Sequence, residues 1–151
     1  MPTLLALDTA TEACSAALLH EGRLYWRFEV IPRLHAQRLL PMLHEVLEEA
    51  GIALAQVDAL VFGRGPGAFT GVRIATGMVQ GLAFAVGKPV IGVSNLAALA
   101  QRAWREEGAQ SVCAAIDARM DEVYWGCYQL IDGVMQLQGC EVVAPPEQVG
   151  L

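Results

Sequence analysis

The sequence predicts an α/β protein in which a mixed β-sheet is combined with helices. Short apolar runs of strand length alternate with longer segments whose apolar residues recur at helical spacing, in the order β-β-β-α-β-α-β-α. A glycine-rich run between a strand and a helix marks a tight connection of the kind that joins such elements. The composition agrees with a packed fold, because 54% of the 151 residues are hydrophobic and 17% are charged, which excludes a disordered chain.

Three strands are predicted at the start of the chain. Residues 4–8 form a short apolar run that ends in a polar turn, and residues 14–20 form a second run. Residues 23–30 alternate apolar and polar side chains, and the Glu21-Gly22 pair before them is a hairpin signal. We therefore expect an antiparallel meander that begins at a strand ending in Asp8.

Three helices and two further strands are predicted after the meander. Apolar residues from Leu39 to Ala50 recur at helical spacing until Gly51, and Pro41 should kink this helix or mark where its main part begins. The second helix is nearly apolar all round, which is typical of a helix covered on more than one side. The remaining predictions are a strand over 57–62, the second helix over 72–86, a strand over 89–93 and a third helix over 95–107 capped by Ser94.

A weak internal repeat predicts two related lobes. Ala6-Leu7-Asp8 followed by a strand is echoed by Ala115-Ile116-Asp117 followed by a strand. The first lobe then covers residues 1–110, and residues 111–151 begin a second. The strand-turn-strand of residues 112–143 has no helices to cover it, and such a hairpin is marginal alone. We therefore expect the second lobe to be incomplete and the sequence truncated.

The charge, the cysteines and the hydropathy of the sequence limit the classes of function that it can have. The net charge of −6 includes no basic stripe, so any RNA should be held by a partner. The longest apolar stretch, between Arg73 and Lys88, is shorter than the roughly 20 residues of a bilayer span, so we expect no membrane association. The four cysteines lack CxxC or zinc spacing and are interpreted as small hydrophobic residues. Without a secretory signal, a reducing cytoplasm fits best.

Two polar segments are candidate anion or phosphate sites. A strand-end Asp8 with Thr9 and Thr11 suits phosphate or hydrated-cation binding, although such residues equally form ordinary turns. In the glycine-rich run, Gly65 and Gly67 flank Pro66, and Thr70 is placed to cap the next helix, whose N-terminus suits an anion. A tight connection explains this run at least as well. Arg73 in the first helical turn opposes the helix dipole and should have an anionic partner, internal or external.

Gly77 and Gly81 lie on one face of the second predicted helix. Each glycine costs roughly 1 kcal/mol relative to alanine, which close approach by another helix would offset. That helix is either the first helix of this chain or a helix of another protein.

The sequence offers no catalytic residue, metal site or cofactor site. His35 and His44 are not at the i, i+4 spacing of a helical metal site, and the charged turn around Asp117 is interpreted as solvated. No Ser-His-Asp or Cys-His arrangement can be defended from the spacing of the residues.

Four segments resemble the TsaB (YeaZ) family, and together they cover nearly the whole chain. They are Asp8-Thr-Ala-Thr11, Gly65-Pro-Gly-Ala-Phe-Thr-Gly-Val-Arg73 and Ile116-Asp-Ala-Arg-Met-Asp-Glu-Val-Tyr124, together with His35-Ala-Gln-Arg-Leu-Leu-Pro-Met42. Ala68 replaces the serine common in the family, a change that we expect to be tolerated. The resemblance implies an actin-like ATPase (ribonuclease H-like) fold of two lobes and a role in making threonylcarbamoyladenosine beside the tRNA anticodon. The family is normally longer than this chain, which supports truncation.

The resemblance also implies a scaffold partner with no catalytic role. Such proteins pair with the related TsaD subunit, which carries the metal, and a TsaE-like ATPase joins the pair, so tRNA is engaged indirectly. The metal-binding relative has two histidines four apart, whereas this chain has His35 followed by Leu39. Pairing through the first two helices implies an interface of Leu39, Met42, Leu43, Val46, Ile74, Gly77, Met78 and Gly81.

Two other functions compete with the scaffold role. A nucleotide-binding actin-like ATPase or kinase would use Asp8 to Thr11 and the glycine-rich run, but it needs a second phosphate loop and an adenosine pocket that the sequence does not show. A glycoprotease-like metallopeptidase would need a peptidase site, and none is visible. We further expect the isolated protein to form a homodimer through the same apolar helices, since that surface would otherwise face water.

Overall fold

The structure, a computed structural model, describes residues 1–150. It contains two compact units. Unit 1 comprises residues 1–64 and 68–93, and unit 2 comprises residues 65–67 and the chain from residue 94 onwards.

Unit 1 contains a five-stranded mixed sheet. The strands are β1 (Leu4–Asp8), β2 (Ala13–His20), β3 (Arg23–Val30), β4 (Ala59–Gly63) and β5 (Val90–Val93), in the order β3-β2-β1-β4-β5. The predicted antiparallel meander is confirmed, since β1 pairs with β2 and β2 with β3 in antiparallel register. β4 and β5 extend the sheet in parallel with β1, which requires the helical crossovers that the sequence predicted.

Two helices cover one face of this sheet. α1 (His35–Ala50) ends where Gly51 adopts a left-handed φ of 70°, as predicted. It begins at His35 and contains Pro41, so the proline does not mark its start. α2 (Phe69–Val86) begins a turn earlier than predicted, with Ala68 at the N-cap and no side-chain cap. The predicted capping role of Thr70 is therefore wrong, because Thr70 lies inside the first turn.

The core of unit 1 lies between the two helices and the sheet. Leu5, Leu18 and Leu60 from the sheet are fully buried against the inward stripe of α1. α2 contributes Ala75, Val79 and Ala83 as its buried residues, and its larger Ile74, Met78 and Leu82 pack against this core while partly buried. The large apolar side chains on one side of the edge strand β3 remain exposed, namely Leu24, Trp26, Phe28 and Val30.

Unit 2 is an antiparallel three-stranded sheet covered by a helix. α3 (Asn95–Glu107) precedes β6 (Ser111–Arg119), β7 (Glu122–Ile131) and β8 (Val134–Ala144), and short 3₁₀ turns occur at Leu54–Gln56 in unit 1 and at Pro146–Gln148. The Ser94 side chain caps α3 by accepting hydrogen bonds from the N–H groups of Leu96 and Ala97, as predicted. Leu96 and Ala100 of α3 pack on Ala114, Tyr128 and Met135 of the sheet.

The expectation that these strands lack a helix to cover them is therefore wrong. The covering helix precedes the strands in the sequence, whereas the first meander is followed by its helices. Contacts accordingly group α3 with the three-stranded sheet, while the sequence placed it in a first lobe ending at residue 110. The assignment of residues 1–110 and 111–151 to two lobes stays a prediction.

The two copies of the repeat have the same local geometry. Asp8 Oδ1 accepts a hydrogen bond from the Ala10 N–H at 2.8 Å, and Asp117 Oδ1 accepts one from the Arg119 N–H at 2.8 Å. Both aspartates thus close an Asx turn at the end of a strand. Each turn leads into an antiparallel three-stranded meander, so the repeat is a real structural correspondence.

The cysteines divide into three kinds. Cys14 is buried in the unit 1 core and behaves as the small hydrophobic residue that was predicted, and burial raises the pKa of its thiol. Cys113 and Cys127 form a disulfide between β6 and β7, and Cys140 is exposed. The interpretation of these three as small hydrophobic residues is wrong, because two of them are paired and the third is exposed. Pairing across an antiparallel ladder does not follow from sequence spacing alone.

Candidate functional site

The polar turn after β1 is held by local hydrogen bonds. Besides the Asp8 bond to Ala10, the Thr11 hydroxyl accepts from the Ala13 N–H at 3.2 Å. The buried His35 at the start of α1 donates from Nε2 to the Thr11 carbonyl at 2.6 Å. The other ring nitrogen of His35, Nδ1, is buried without a partner among the described residues. The structure therefore supports the interpretation that Asp8 and Thr11 form an ordinary turn.

The same turn packs directly on the backbone of α2. The fully buried Thr9 donates its hydroxyl hydrogen bond to the Gly71 carbonyl at 2.5 Å, and the Ala68 N–H donates to the Ala10 carbonyl at 2.8 Å. A Cβ atom on Gly71 would lie 1.9 Å from the Thr9 carbonyl oxygen. Residue 71 must therefore be glycine for the turn and the helix to approach this closely, and the Thr9 hydroxyl is already occupied.

The glycines of the loop before α2 serve a different connection. Gly65 has a left-handed φ of 99° and is followed by a cis bond to Pro66. Its N–H donates to Asn95 Oδ1 at 2.9 Å, and its carbonyl accepts from the Asn95 N–H at 2.9 Å. These paired bonds tie Gly65, with Gly67 in the same short segment of unit 2, to the start of α3. The N–H of Gly65 is therefore already bonded within the protein.

Arg73 lies exposed in the first turns of α2. Its guanidinium stacks on the Phe69 ring with 3.3 Å between Cζ and the ring centroid, and Nη1 donates to the Phe69 carbonyl at 3.3 Å. Within residues 1–150 no carboxylate forms an ion pair with it. The prediction that a carboxylate of this chain pairs with Arg73 is thus wrong. The alternative, an external anion bound near Arg73 and Thr70, stays a prediction.

The outward face of α2 is open. Gly77 and Gly81 are exposed, and a Cβ atom on either would meet no described neighbour within 4 Å. Phe84 on the same helix is 92% exposed. The alternative that these glycines let α1 of the same chain pack closely is therefore wrong. We call Gly77, Gly81 and Phe84 the α2 outer face.

The expectation that α2 is covered on more than one side is wrong within the chain. Only 22% of the helix is buried, along the single stripe of Gly71, Ala75, Val79 and Ala83. By length and composition α2 is also the one helix in residues 1–150 that would suffice to cross a membrane. One such helix is a weak indication of a span, and the expectation of no membrane association is not tested by it.

The predicted interface on α1 needs correction. Leu39, Met42, Leu43 and Val46 are buried in the core, where no partner can reach them. Apolar periodicity identifies the inward face of a helix, and here the sheet of the same chain covers that face. On α2, Ile74 and Met78 are half-buried, and they pack against the unit 1 core.

The surface of α1 that remains accessible adjoins a cavity that sequence reasoning did not find. Leu40 and His44 are exposed one turn apart, and Glu48 follows after another turn. They border a cavity of about 260 Å³ whose walls are mostly apolar. Its further lining residues are Leu5, Leu43, Leu47, Ile52, Ala53, Leu54 and Leu82. The lining residues from outside α1, Ile52, Leu54 and Leu82 among them, turn this helical stripe into a concave surface.

A network of charges joins α1 to β3. Arg38 bridges Glu29 at 2.7 Å and Glu45 at 2.5 Å, and Arg27 bridges Glu45 at 3.3 Å and Glu49 at 3.2 Å. The hydrogen bond from Arg38 lowers the pKa of the Glu45 carboxyl, and the two carboxylates raise the pKa of Arg38. The network is solvent-accessible and joins a helix to an edge strand, so we assign it a structural role.

The turn between β6 and β7 is conformationally unusual. Arg119, Met120 and Asp121 all have left-handed φ values, of 68°, 53° and 62°. Such values cost roughly 1–2 kcal/mol for each non-glycine residue. The turn is exposed, in agreement with its interpretation as a solvated turn. Among the side chains of residues 1–150, no group of three or more His, Cys, Asp or Glu is arranged to hold a metal ion.

Comparison with known proteins gives a consistent set of relatives. Residues 29–150 match the family model described as TsaD, tRNA N6-adenosine threonylcarbamoyltransferase. The tRNA threonylcarbamoyladenosine biosynthesis protein TsaB of Escherichia coli is 52% identical over 97% of this chain and 64% of its own length. The protein of the same name from Haemophilus influenzae is 58% identical over 82% of this chain and 52% of its own length.

A solved structure agrees with these relatives. YeaZ from Pseudomonas aeruginosa is 72% identical and superposes with a TM-score of 0.98. The match covers 100% of this chain and 71% of that protein. The chain thus spans between about half and two thirds of the length of the two TsaB relatives above.

Proposed function

Because the chain belongs to the TsaB (YeaZ) family and has its actin-like (ribonuclease H-like) fold, we propose that it acts in tRNA threonylcarbamoyladenosine biosynthesis as a non-catalytic partner subunit. Its partner in this proposal is a TsaD-like catalytic subunit, and a TsaE-like ATPase joins the pair. In this proposal the modification takes place in the cytoplasm, and the partner subunit binds the tRNA.

The observation that carries this proposal is the unpartnered α2 outer face. Gly77 and Gly81 cost helix stability, and nothing in residues 1–150 approaches them closely enough to offset that cost. Phe84 beside them is almost fully exposed, so burying it against another protein removes a large apolar surface from water. A glycine-notched face with an adjacent aromatic side chain suits close contact with a helix of a partner.

The first helix supports a non-catalytic role. The metal-binding relative is expected to use two histidines four residues apart, and this chain has Leu39 four residues after His35. Leu39 is fully buried in the core, and His35 already donates to the Thr11 carbonyl. The two positions therefore do not provide the pair of metal ligands that the relative is expected to use.

The nucleotide-binding alternative is less well supported. Such a site needs free donors around the β1 turn and the glycine-rich loop. The Thr9 hydroxyl and the Gly65 and Ala10 N–H groups are instead bonded within the protein. Tight binding of ATP·Mg by the chain, measured by calorimetry, would nevertheless favour that alternative over the scaffold role.

The partner hypothesis is tested by placing bulk on the α2 outer face. Gly77→Leu and Gly81→Leu add side chains into open space, so the chain should remain folded while a closely packed partner is pushed away. Ala98→Leu, on the exposed side of α3 in unit 2, is the matched control. Co-purification with a TsaD-like subunit should drop at least tenfold for the glycine variants and stay unchanged for the control.

The same variants address self-association. We expect the isolated chain to form a homodimer through this face, seen as a doubled mass in light scattering, and the Gly77→Leu variant to be monomeric. A wild-type chain that is monomeric at all concentrations refutes the homodimer alone. Unchanged co-purification of both glycine variants, with unchanged circular dichroism, refutes the partner surface.

A further inference from the structure

Cys113 and Cys127 face each other at the centre of the unit 2 sheet. They are directly paired in the antiparallel register of β6 and β7, and their Cα atoms are 4.0 Å apart. Because the two residues are directly opposite each other in the ladder, their sulfur atoms stay within reach of each other when the bond is broken.

The pair lies on the sheet face that α3 does not cover. Side chains alternate along β6, so Ala114 next to Cys113 points into the core with Leu96 and Ala100 of α3, and Cys113 points to the opposite face. On that face the pair is flanked by Ser111, whose hydroxyl donates to Gln129, and by Trp125. Both cysteines are half-buried, which leaves a route for a small thiol or disulfide.

The other two cysteines have different surroundings. Cys14 is buried in unit 1, and its thiol pKa is raised by burial, which disfavours the reactive thiolate. Cys140 is exposed and follows Gly139, which has a left-handed φ of 82°, where the pairing of β7 with β8 shifts register. The chain therefore carries one buried and one exposed free thiol as internal references for the pair.

We propose that Cys113 and Cys127 form a reversible redox modification site that exchanges with low-molecular-weight disulfides of the glutathione class. Oxidation begins when the thiolate of one cysteine attacks the external disulfide, forming a mixed disulfide and releasing one external thiol. The second cysteine then attacks the mixed disulfide and releases the second thiol. In total the protein loses two electrons and two protons, and one external disulfide becomes two thiols.

The modification changes the stability of unit 2. The bond closes a loop between residues that are 14 apart in the sequence, and it fixes the central strand β7 to β6. A cross-link of this kind stabilises a fold mainly by restricting the unfolded chain. We therefore expect the oxidised unit 2 to melt at least 5 °C above the reduced unit 2.

The experiment uses the full 151-residue chain in buffers that span reduced to oxidised glutathione. Samples are quenched in acid and alkylated after denaturation, and intact mass counts the labels. The reduced chain should carry four labels, and the transition to the internal cross-link should remove two labels without adding the mass of glutathione. Exchange at the exposed Cys140 instead removes one label and adds one glutathione, so intact mass separates the two events. Cys140→Ser should keep that transition with one label fewer throughout, while Cys113→Ser and Cys127→Ser should lose the internal cross-link.

Thermal melts of the wild type in both redox states provide a second measurement that needs no variant. A higher melting temperature on oxidation that is absent from Cys113→Ser supports the proposal. Four labels at every glutathione ratio, or an internal cross-link that persists in Cys113→Ser, overturns it. Equal melting temperatures of the two wild-type states overturn the effect on unit 2.

Discussion

Replacing Gly71 by alanine tests how unit 1 is assembled around the β1 turn. The new Cβ atom would lie 1.9 Å from the Thr9 carbonyl oxygen, whereas non-bonded atoms pack at about 3.5 Å. The contact is between backbone atoms, so no side chain can rotate away to relieve it. The turn and the start of α2 must move apart, which strains the Thr9 hydroxyl bond to Gly71 and the Ala68 N–H bond to Ala10.

The magnitude follows from these contacts. Each lost hydrogen bond costs about 1 kcal/mol, and a buried group left without a partner costs about 1–3 kcal/mol. The gain from replacing a helical glycine by alanine is about 1 kcal/mol. We therefore expect Gly71→Ala to lower the free energy of unfolding of unit 1 by about 2–4 kcal/mol.

Two glycines of the same helix provide the control. Alanine at Gly77 or Gly81 meets no atom of the described part of the chain within 4 Å. Only the helix propensity therefore changes, and each variant should gain about 0.5–1 kcal/mol. Urea unfolding followed by circular dichroism measures all three variants. Gly71→Ala should unfold at clearly lower urea and the other two at slightly higher urea. A Gly71→Ala midpoint equal to that of Gly77→Ala would refute the close packing of the turn on α2.

Further outcomes follow from single contacts elsewhere in the chain. Thr9→Val keeps the shape of the buried side chain but removes the hydroxyl that donates to the Gly71 carbonyl. Urea unfolding should therefore show a loss of about 0.5–1.5 kcal/mol, and an unchanged midpoint would contradict the bond. Arg38→Met removes the bridge between Glu29 and Glu45. Because Arg38 lowers the pKa of Glu45 in the folded chain, this contribution is present above the usual glutamate pKa of about 4.3 and is lost as pH falls through the lowered value. The wild type should therefore melt above Arg38→Met at pH 7, and the gap should close in acid; a gap that is constant from pH 7 to pH 2 would exclude the carboxylate as its source.

Local sequence signals predicted the elements of the fold well. Glu21-Gly22, Gly51 and Ser94 mark a hairpin, a helix end and a helix start, and each acts through its own backbone or its nearest neighbours. The Asp8 and Asp117 turns are equally local, so the repeat was recognisable from two tripeptides. Such features depend on a few consecutive residues and are therefore readable along the chain.

The candidate sites depended on contacts that sequence spacing does not encode. Leu39 and Val46 have the same periodicity whether a sheet of the chain or a partner covers them, and only the structure shows that the sheet does. Gly71 and Gly77 are both helical glycines, yet one is pressed against the Thr9 carbonyl and the other faces open space. The packing partner of each residue decides its role.

The sequence by itself determined the α/β class, the order of the elements and the resemblance to the TsaB family, because these follow from local preferences and contiguous motifs. The tertiary structure decided which helical face is open, which turn donors are already bonded and which cysteines meet. Those outcomes depend on long-range pairs such as Thr9 with Gly71, Gly65 with Asn95 and Cys113 with Cys127. Such pairs form only when the strands and helices pack, so their chemistry is a property of the folded chain.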